Sequence, residues 1–184
     1  MIKNFARLVI AIHAMLFRVA YKQLGLQYKT VAIMLSKYSG IYGILLRRAF
    51  YKKSLQRCGD GLSVFYGAFI VFPDVEIGNN CSVGEYSIVS LCSLGNDVLI
   101  AARVSIMSGS QHHDVMDTDS LFRESTSIKK RIVIGNNVWI GTHAVIMSDV
   151  SSDTAVGAGA VVVKQYEPYL VVAGVPAIPI KTRR

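Results

Sequence analysis

The chain has 184 residues, a mean hydropathy of +0.39 and a formal net charge of +8. Its longest uncharged apolar stretch near the start, Leu8 to Phe17, covers only ten residues, about half of a bilayer span, so a spanning helix is not expected. Its three cysteines, at positions 58, 81 and 92, follow neither a disulfide nor a zinc pattern, which favours a reduced, cytoplasmic setting.

The positive charge is concentrated in the first part of the chain. Residues 1–59 contain eleven Lys and Arg and no Asp or Glu, whereas residues 60–184 contain nine basic and twelve acidic residues. A basic start followed by an apolar run also occurs in signal peptides, but no small-residue cleavage site follows it here, so secretion is not expected. The charge distribution predicts two regions with different surroundings.

Residues 1–58 are predicted to form a basic amphipathic helical segment. Apolar residues follow a helical spacing at Ile2, Phe5, Val9, Ile12, Leu16 and Val19. Gly25 is expected to end this helix. A second apolar segment spans roughly Val31 to Phe50, is weakened at Ser39-Gly40, and ends in a cluster of basic residues.

Two roles of this segment are left open by the sequence. The helices could cap the end of the domain that follows. Alternatively, residues 1–55 could bind an anionic membrane surface, which the absence of acidic residues favours. A nucleic-acid partner is not expected, because no recognition-helix pattern or aromatic platform accompanies the basic residues.

Residues 59–184 are dominated by a six-residue repeat with an aliphatic residue at the head of each unit. This period fits neither an α-helix nor a flat two-faced sheet, and it predicts a β-solenoid of about five coils. The predicted unit heads of the first block are Phe65, Val71, Ile77, Val83, Ile88, Leu94, Ile100 and Ile106. Those of the second block are Ile134, Ile140, Ile146, Val156 and Val162.

The repeat is interrupted over residues 107–131 by a polar and charged stretch. A long loop extruded from a regular scaffold is usually functional. The loop contains two adjacent histidines, His112 and His113, followed by Asp114. These residues are the first candidates for chemistry.

The second block carries the most specific motifs of the chain. They are IGNNVWIGTHAVIM at residues 134–147, VGAGAVVVK at residues 156–164 and VAGVPA at residues 172–177. In this order, and with a single His-bearing interruption, they resemble the hexapeptide-repeat acyltransferases, in particular the polysaccharide and sugar O-acetyltransferase branch. The resemblance covers Val64 to Lys181 and implies a left-handed parallel β-helix that transfers acetyl from acetyl-CoA.

The resemblance also implies how the reaction is catalysed. Transfer to a hydroxyl requires a base for its proton and a donor for the developing oxyanion. The family's base is a His at the root of the extruded loop, and His112 is preferred because of its spacing. His113 stays in contention, since Asp114 could orient its ring. His143 is expected to be structural or solvated, although it falls near the cofactor groove.

The family's CoA groove maps onto the second block. A backbone N–H of the Gly141–Thr142 turn of a neighbouring chain is the expected oxyanion donor, and cations are expected near the CoA phosphates. No metal is implied. The predicted CoA contacts are Trp139, Gly141, Thr142, Ala144, Ala158, Gly159, Lys164 and Lys181.

A homotrimer with active sites between subunits is the assembly implied by the family. The acceptor implied is a hydroxyl of a glycan or of a lipid-linked or nucleotide sugar. The sequence departs from the family pattern at three positions, two of them near CoA and one near the acceptor. Val175 and Ile178 replace the usual Asn and Lys near CoA, and Tyr86 stands near a usual acceptor-binding Asn.

Three other functions remain alternatives. One is a serine or sugar-amine acetyltransferase on the same scaffold. Another is a non-enzymatic solenoid that acts as a scaffold. A carbonic-anhydrase-like metalloenzyme is the third, but it needs converging histidines at a spacing that positions 112, 113 and 143 do not have. The expected location is the cytoplasm, at the inner face of the membrane if the helices bind lipid.

Overall fold

A computed structural model describes residues 2–108, 118–119, 121–124 and 129–183, with side chains from residue 6 onward. Three helices precede a solenoid of about five coils, in which every strand but the last pairs in parallel with the matching strand of the next coil. The parallel β-helix predicted from the six-residue repeat is therefore confirmed.

The helical segment contains three helices, α1 (Ile2–Lys22), α2 (Tyr28–Ser36) and α3 (Gly40–Ser54). The apolar segment predicted between residues 31 and 50 is thus two helices and not one. Ser39 separates them, because its extended backbone (φ −87°, ψ 168°) cannot continue a helix. Gly25, with φ 74°, lies in the turn after α1, close to where the sequence predicts the helix end.

Three sheets form the sides of the solenoid. Sheet I contains β1 (Arg57–Cys58), β4 (Glu76–Ile77), β7 (Cys92–Leu94) and β10 (Ile132–Ile134). Sheet II contains β2 (Ser63–Val64), β5 (Ser82–Val83), β8 (Leu99–Ile100), β11 (Trp139–Ile140), β13 (Ala155–Val156), β15 (Leu170–Gly174) and β16 (Ala177–Thr182). Sheet III contains β3 (Phe69–Ile70), β6 (Ile88–Val89), β9 (Ser105–Ile106), β12 (Val145–Ile146) and β14 (Val161–Val162).

Most strands are two residues long, and in those of the three sheet walls the second residue points into the solenoid axis. Successive residues of a strand face opposite ways, so one aliphatic per strand is enough to fill the core. The buried axis residues include Ile77, Val83, Leu94, Ile100, Ile106, Ile134, Ile140, Ile146, Val156 and Val162, all predicted from the repeat.

Three predicted unit heads are wrong by one residue. Val64, Ile70 and Val89 are buried in the axis, whereas their predicted neighbours Phe65, Val71 and Ile88 are not. Two irregular steps are the cause: the turn through residues 72–74 makes the step from Ile70 to Ile77 seven residues, and the step from Val89 to Leu94 is only five. Ser63 consequently pairs with Ser82, nineteen residues on, and Ser82 pairs with Leu99, seventeen residues on.

One corner of the solenoid, between sheets I and II, is held by a ladder of side-chain amides. The backbone N–H groups of residues 60, 79 and 96 each donate to the Oδ1 of the asparagine one coil above, Asn79, Asn96 and Asn136, at 2.8 Å. Asn136 N–H donates to the Ser152 hydroxyl at 3.0 Å. The ladder explains why the repeat carries Asn or Ser at these positions.

The long interruption leaves the solenoid where sheet III turns into sheet I. β9 ends at Ile106 and β10 begins at Ile132, and the N–H of Lys130 donates to the carbonyl of Ser108 at 3.0 Å. Ile132 pairs with Cys92 in sheet I. The coil therefore continues in register across the insertion.

The helices α2 and α3 cover the first coil. Leu35, Leu46 and Phe50 are fully buried in the same core cluster as Leu62 and Val64. These contacts are those expected of a cap, one of the two roles that the sequence leaves open for the helical segment. Among the described residues, no helix combines the length and the hydropathy needed to cross a bilayer.

Candidate active site

A stack of turns joins sheet II to sheet III and forms a continuous edge of the solenoid, here called edge II/III. The first residues of these turns are Tyr66, Glu85, Ala102, Thr142 and Ala158, and the second residues are Gly67, Tyr86, Arg103, His143 and Gly159. From coil two upward, each second residue donates its backbone N–H to the carbonyl of the first residue one coil below, at 2.8–3.2 Å. The turns are thereby held in vertical register.

The second turn residues all have positive φ, which makes their identity informative. At the corner between sheets I and II the left-handed positions are Gly61, Asn80, Asp97, Asn137, Asp153 and Tyr169, and all but the last are of the types that tolerate this conformation best. On edge II/III, Tyr86, Arg103 and His143 adopt φ of 59°, 57° and 60°. Large side chains held in this region cost about 1–3 kcal/mol each and cluster at functional sites. Edge II/III is therefore the first candidate for a binding surface.

The lower part of edge II/III combines aromatic rings with a cation. The Arg103 guanidinium lies 5.8 Å from the ring centroid of Tyr86, and the Tyr66 and Tyr86 rings meet edge to face at 5.7 Å. Arg103 was not among the predicted site residues. The repeat contains a signal for it, since Arg103 occupies the same place after Ile100 as His143 occupies after Ile140.

The hydrogen bonds of Thr142 define which ring nitrogen of neutral His143 carries the proton. The Thr142 hydroxyl donates its one proton to the carbonyl of Ala102 at 2.8 Å. His143 Nδ1 lies 3.0 Å from the same hydroxyl oxygen and must then be the donor of that bond. In neutral His143 this assignment leaves the Nε2 lone pair available as an acceptor at the protein surface. The sequence predicts His143 to be structural or solvated. In the structure its side chain is exposed, and the hydrogen bond to Thr142 orients its ring.

Edge II/III also presents backbone donors. The N–H groups of Thr142 and Ala158 have no acceptor among the described residues. Both residues are exposed, and they lie in adjacent coils, whose spacing is about 4.8 Å. An extended ligand with amide carbonyls could accept hydrogen bonds from both.

Two of the predicted CoA contacts in this stack have different surroundings. Gly141 lies beneath the next coil, where an added Cβ would come within 2.6 Å of the Ala158 nitrogen. Ala144 is fully buried in the solenoid axis, so its methyl group is part of the core and not of the surface. The structure thus brings Gly141, Thr142, Ala158 and Gly159 together on one edge and turns the side chain of Ala144 away from it.

The remaining predicted contacts lie elsewhere on the same chain. Trp139 is half-exposed on the outer face of sheet II, between Leu99 and Ala155 of the adjacent strands. Lys164 follows β14 at the corner between sheets III and I, with Nζ 5.4 Å from the ring centroid of Tyr166. Lys181 is exposed on β16, the outermost strand of sheet II. The two lysines are therefore not neighbours of the Thr142–Ala158 stack.

His112, His113 and Asp114 lie outside the described residues. The described positions at the two ends of the interruption are Ser108, where the chain leaves coil three, and Lys129 and Lys130, where it returns. Ser108 is buried, and Ser90 donates to its hydroxyl at 3.2 Å. The roles of the two histidines and of Asp114 stay predictions.

The cysteines do not offer a nucleophile. Burial raises the pKa of the Cys92 thiol to about 12, and burial also raises the pKa values of Cys58 and Cys81 above their usual range. Only the thiolate is an efficient nucleophile or metal ligand. Within the described part of the chain, no group of three His, Cys, Asp or Glu residues is arranged to hold a metal ion.

Comparison with known proteins identifies relatives among acetyltransferases. The chain is 35% identical over 103 residues to galactoside O-acetyltransferase of Escherichia coli strain K12, covering 54% of this chain and 46% of the relative. It is 33% identical over 116 residues to a chloramphenicol acetyltransferase of Escherichia coli, covering 55% and 53%. The chain thus spans about half the length of these curated relatives. No protein-family model matches it.

A solved structure extends the similarity over most of the fold. A galactoside acetyltransferase in complex with coenzyme A superposes with a TM-score of 0.68 at 26% sequence identity. The superposition covers 85% of this chain and 79% of the other. Most of this fold is therefore shared with a protein whose structure was solved with coenzyme A bound.

Proposed function

We propose that this chain belongs to the hexapeptide-repeat acyltransferases and that it is an acetyl-CoA-dependent O-acetyltransferase of the sugar and polysaccharide branch. The observation that carries this proposal is the sequence similarity to proteins named as acetyltransferases over more than half of this chain. The exposed N–H donors of edge II/III, which lie within the second-block motifs, provide a physical observation that supports the same proposal.

Acetyl-CoA is the proposed acyl donor. Its pantetheine arm has two amide carbonyls, which match the N–H groups of Thr142 and Ala158, in adjacent coils and without an acceptor in the described part of the chain. The small residues at this edge allow close approach, as Gly159 and Ala158 are exposed and present no bulky side chain. Lys164 and Lys181 are the proposed partners of the CoA phosphates, and Trp139 is the proposed apolar wall.

The proposed base is His112 or His113. The imidazole accepts the proton of the acceptor hydroxyl while the hydroxyl oxygen attacks the thioester carbonyl carbon of acetyl-CoA. The resulting oxyanion accepts a hydrogen bond from a backbone N–H of the Gly141–Thr142 turn of a neighbouring subunit. Collapse of the tetrahedral intermediate breaks the carbon–sulfur bond, and the protonated imidazole returns the proton to the departing thiolate of CoA. Asp114 would orient the ring if His113 is the base.

A homotrimer with active sites between subunits is part of the proposal. Within one chain, Lys164 and the Thr142–Ala158 stack lie on different corners of the solenoid. A site at a subunit boundary would let one chain supply the stack and another the loop with its histidines. Sedimentation velocity of the full chain tests this assembly, and a monomer at assay concentrations would contradict it.

The proposed acceptor is a hydroxyl of a glycan or of a lipid-linked or nucleotide sugar. Tyr66 and Tyr86 offer ring faces for a sugar, and Arg103 offers a cation for a phosphate. The proposed location is the cytoplasm, with peripheral contact to the inner face of the membrane through residues 1–55.

A transfer screen tests this function. Purified chain with radiolabelled acetyl-CoA is offered nucleotide sugars, lipid-linked sugars, an amino sugar and serine, and labelled products are separated. The proposal predicts labelled sugar esters that are cleaved by mild base. Products stable to base would favour the amine acceptor, and acetyl-CoA that is neither bound nor consumed would favour the scaffold role.

A further inference from the structure

The helical segment is layered, and α1 is its outer layer. α2 and α3 pack on the first coil, and α1 packs mainly on α3 and α2. The side of α1 that faces these helices carries Ile10 and Ala14, which are buried, together with Phe17 and Tyr21. A hydrogen bond links α1 to α3, since Arg18 Nε donates to the carbonyl of Lys53 at 3.2 Å.

The opposite side of α1 is apolar and uncovered. Leu8, Ile12, Met15 and Leu16 lie on this face, and between 53% and 63% of each side chain is exposed. Their spacing of three and four residues makes them one continuous stripe. Isolated exposed apolar side chains are ordinary in proteins, but a stripe on one helix face marks a surface that another body covers.

Cations border this stripe. Between α1 and α3 lies a cleft of about 520 Å³ lined by Ala11, Ala14, Met15, Arg18, Ala49, Lys52 and Lys53. The lining combines three alanines with three cations, and Met15 belongs to both the cleft and the stripe. The only carboxylate that approaches these cations among the described residues is Asp60, 2.8 Å from Lys52.

We propose that the stripe on α1 inserts into an anionic lipid bilayer and that the Arg18–Lys52–Lys53 cleft receives lipid headgroup phosphates. The stripe requires an apolar partner and the surrounding cations require an anionic one, and an anionic bilayer surface presents both at the depth of one helix face. The inference details the membrane contact of the proposed function and does not depend on acetyl transfer.

Charge argues against a second copy of this chain on the same face. Residues 1–59 carry eleven basic and no acidic residues, so two such segments facing each other would repel. Nucleic acid would use the cations but would leave the apolar stripe in water. Of the three occupants, the anionic bilayer is the one that satisfies both features.

Vesicle flotation of the full chain tests the proposal. One set of vesicles contains equal parts of phosphatidylglycerol and phosphatidylcholine, and the other contains phosphatidylcholine alone. Wild type should float with the anionic vesicles only, and raising the salt concentration should weaken binding. The double variant Ile12→Gln, Leu16→Gln should bind at least tenfold more weakly, since both side chains lose apolar burial in the bilayer.

Charge variants and matched controls complete the experiment. Arg18→Gln and Lys53→Gln should each weaken binding about fivefold. Val133→Gln and Lys130→Gln, on exposed solenoid positions, should leave it unchanged. Titration of acetyl-CoA into the same variants should give wild-type affinity, which separates this surface from the acyl-donor site.

Three outcomes would overturn the proposal. The first is failure of wild type to float with either vesicle. The second is binding that the double variant retains, because the stripe would then have no part in it. The third is concentration-dependent self-association that Ile12→Gln, Leu16→Gln abolishes, since a second copy would then cover the face.

Discussion

The Nε atom of Arg47 donates a hydrogen bond to the carbonyl oxygen of Val64 at 2.8 Å, which joins α3 to the first coil of the solenoid. The Nη1 atom of the same guanidinium donates to the carbonyls of Leu35 and Tyr38 at 2.9 and 2.7 Å. Arg47 is fully buried, and burial lowers its pKa. One side chain therefore satisfies carbonyls of the α2 C-terminal region and of β2.

Replacing Arg47 should destabilise the helical cap. Arg47→Met leaves the carbonyls of Leu35, Tyr38 and Val64 without this donor, and a buried acceptor without a partner costs about 1–3 kcal/mol. Removal of a buried charge offsets part of this, so we expect a net loss of about 3 kcal/mol in the free energy of unfolding. Urea unfolding followed by circular dichroism measures it, with the exposed Arg7→Met as control. An Arg47→Met variant as stable as wild type would contradict this role.

Two glycines of the turn stack should respond differently to alanine. Gly141→Ala places a Cβ 2.6 Å from the Ala158 nitrogen, so coils four and five must separate, and we expect a cost of about 3 kcal/mol. Gly159→Ala meets open space but keeps φ at 69°, which costs about 1 kcal/mol. Thermal unfolding of both variants checks the order. Equal losses would mean that the coil spacing is not limiting at Gly141.

Stability should fall in alkaline solution. The pKa of Cys92 is raised from 9.0 to about 12 in the folded chain, so above pH 9 the unfolded chain loses the thiol proton first. The stabilising contribution is complete below pH 9 and is lost as the pH rises towards 12, by up to about 1.4 kcal/mol per pH unit. Urea unfolding under reducing conditions at pH 8 and pH 10 measures this slope.

The Cys92→Ala variant is the control for the alkaline slope. It removes one titrating thiol and should show a shallower loss between the two pH values than wild type. Burial also raises the pKa values of Cys58, Cys81 and Tyr51, so a residual slope is expected. An unchanged slope would show that Cys92 is ionised equally in both states.

Substitution of the histidines should identify the base. Loss of a general base lowers kcat by about 10²–10⁴-fold, and a neighbouring histidine should have a much smaller effect. His112→Ala, His113→Ala and His143→Ala are compared by initial rates with the acceptor found in the screen and by acetyl-CoA affinity. Wild-type turnover in both His112→Ala and His113→Ala would make the proposed base wrong. A lowered kcat in His143→Ala alone would instead indicate that the exposed Nε2 of His143 is the base.

The regular part of the fold was predictable because its period is a direct consequence of geometry. Ile134, Ile140 and Ile146 head their units in the sequence and are buried in the axis as predicted. The first coil was predicted one residue out of register, at Phe65 and Val71. An additional residue in a turn shifts the heads, and nothing in an aliphatic run such as residues 69–71 marks which residue faces inward.

The site was predictable only where it coincides with motifs. The Gly141–Thr142 turn lies within the second-block motif, and the structure places it beside Ala158 and Gly159. Arg103 was missed although the repeat places it at the position equivalent to His143, because its left-handed backbone and its contact with the Tyr86 ring are visible only in the structure. Arg47, similarly, belongs in sequence to a basic cluster, yet it is buried.

We propose that acetyl-CoA binds along edge II/III, and removal of one backbone donor tests this directly. Ala158→Pro deletes an N–H that has no acceptor among the described residues, so no hydrogen bond of the described fold is lost. The following residue, Gly159, has φ 69°, as a type II turn requires, and that turn accepts Pro at its second position. Ala102→Pro makes the same change two coils below and is the matched control.

Calorimetric titration of acetyl-CoA into wild type, Ala158→Pro and Ala102→Pro is the decisive measurement, with thermal unfolding to verify that each variant is folded. Loss of a hydrogen bond from a buried ligand group costs about 1–3 kcal/mol. We expect binding to wild type and to Ala102→Pro with similar affinity, and binding at least fivefold weaker to folded Ala158→Pro. Equal affinity in all three, or no binding to wild type, would contradict it.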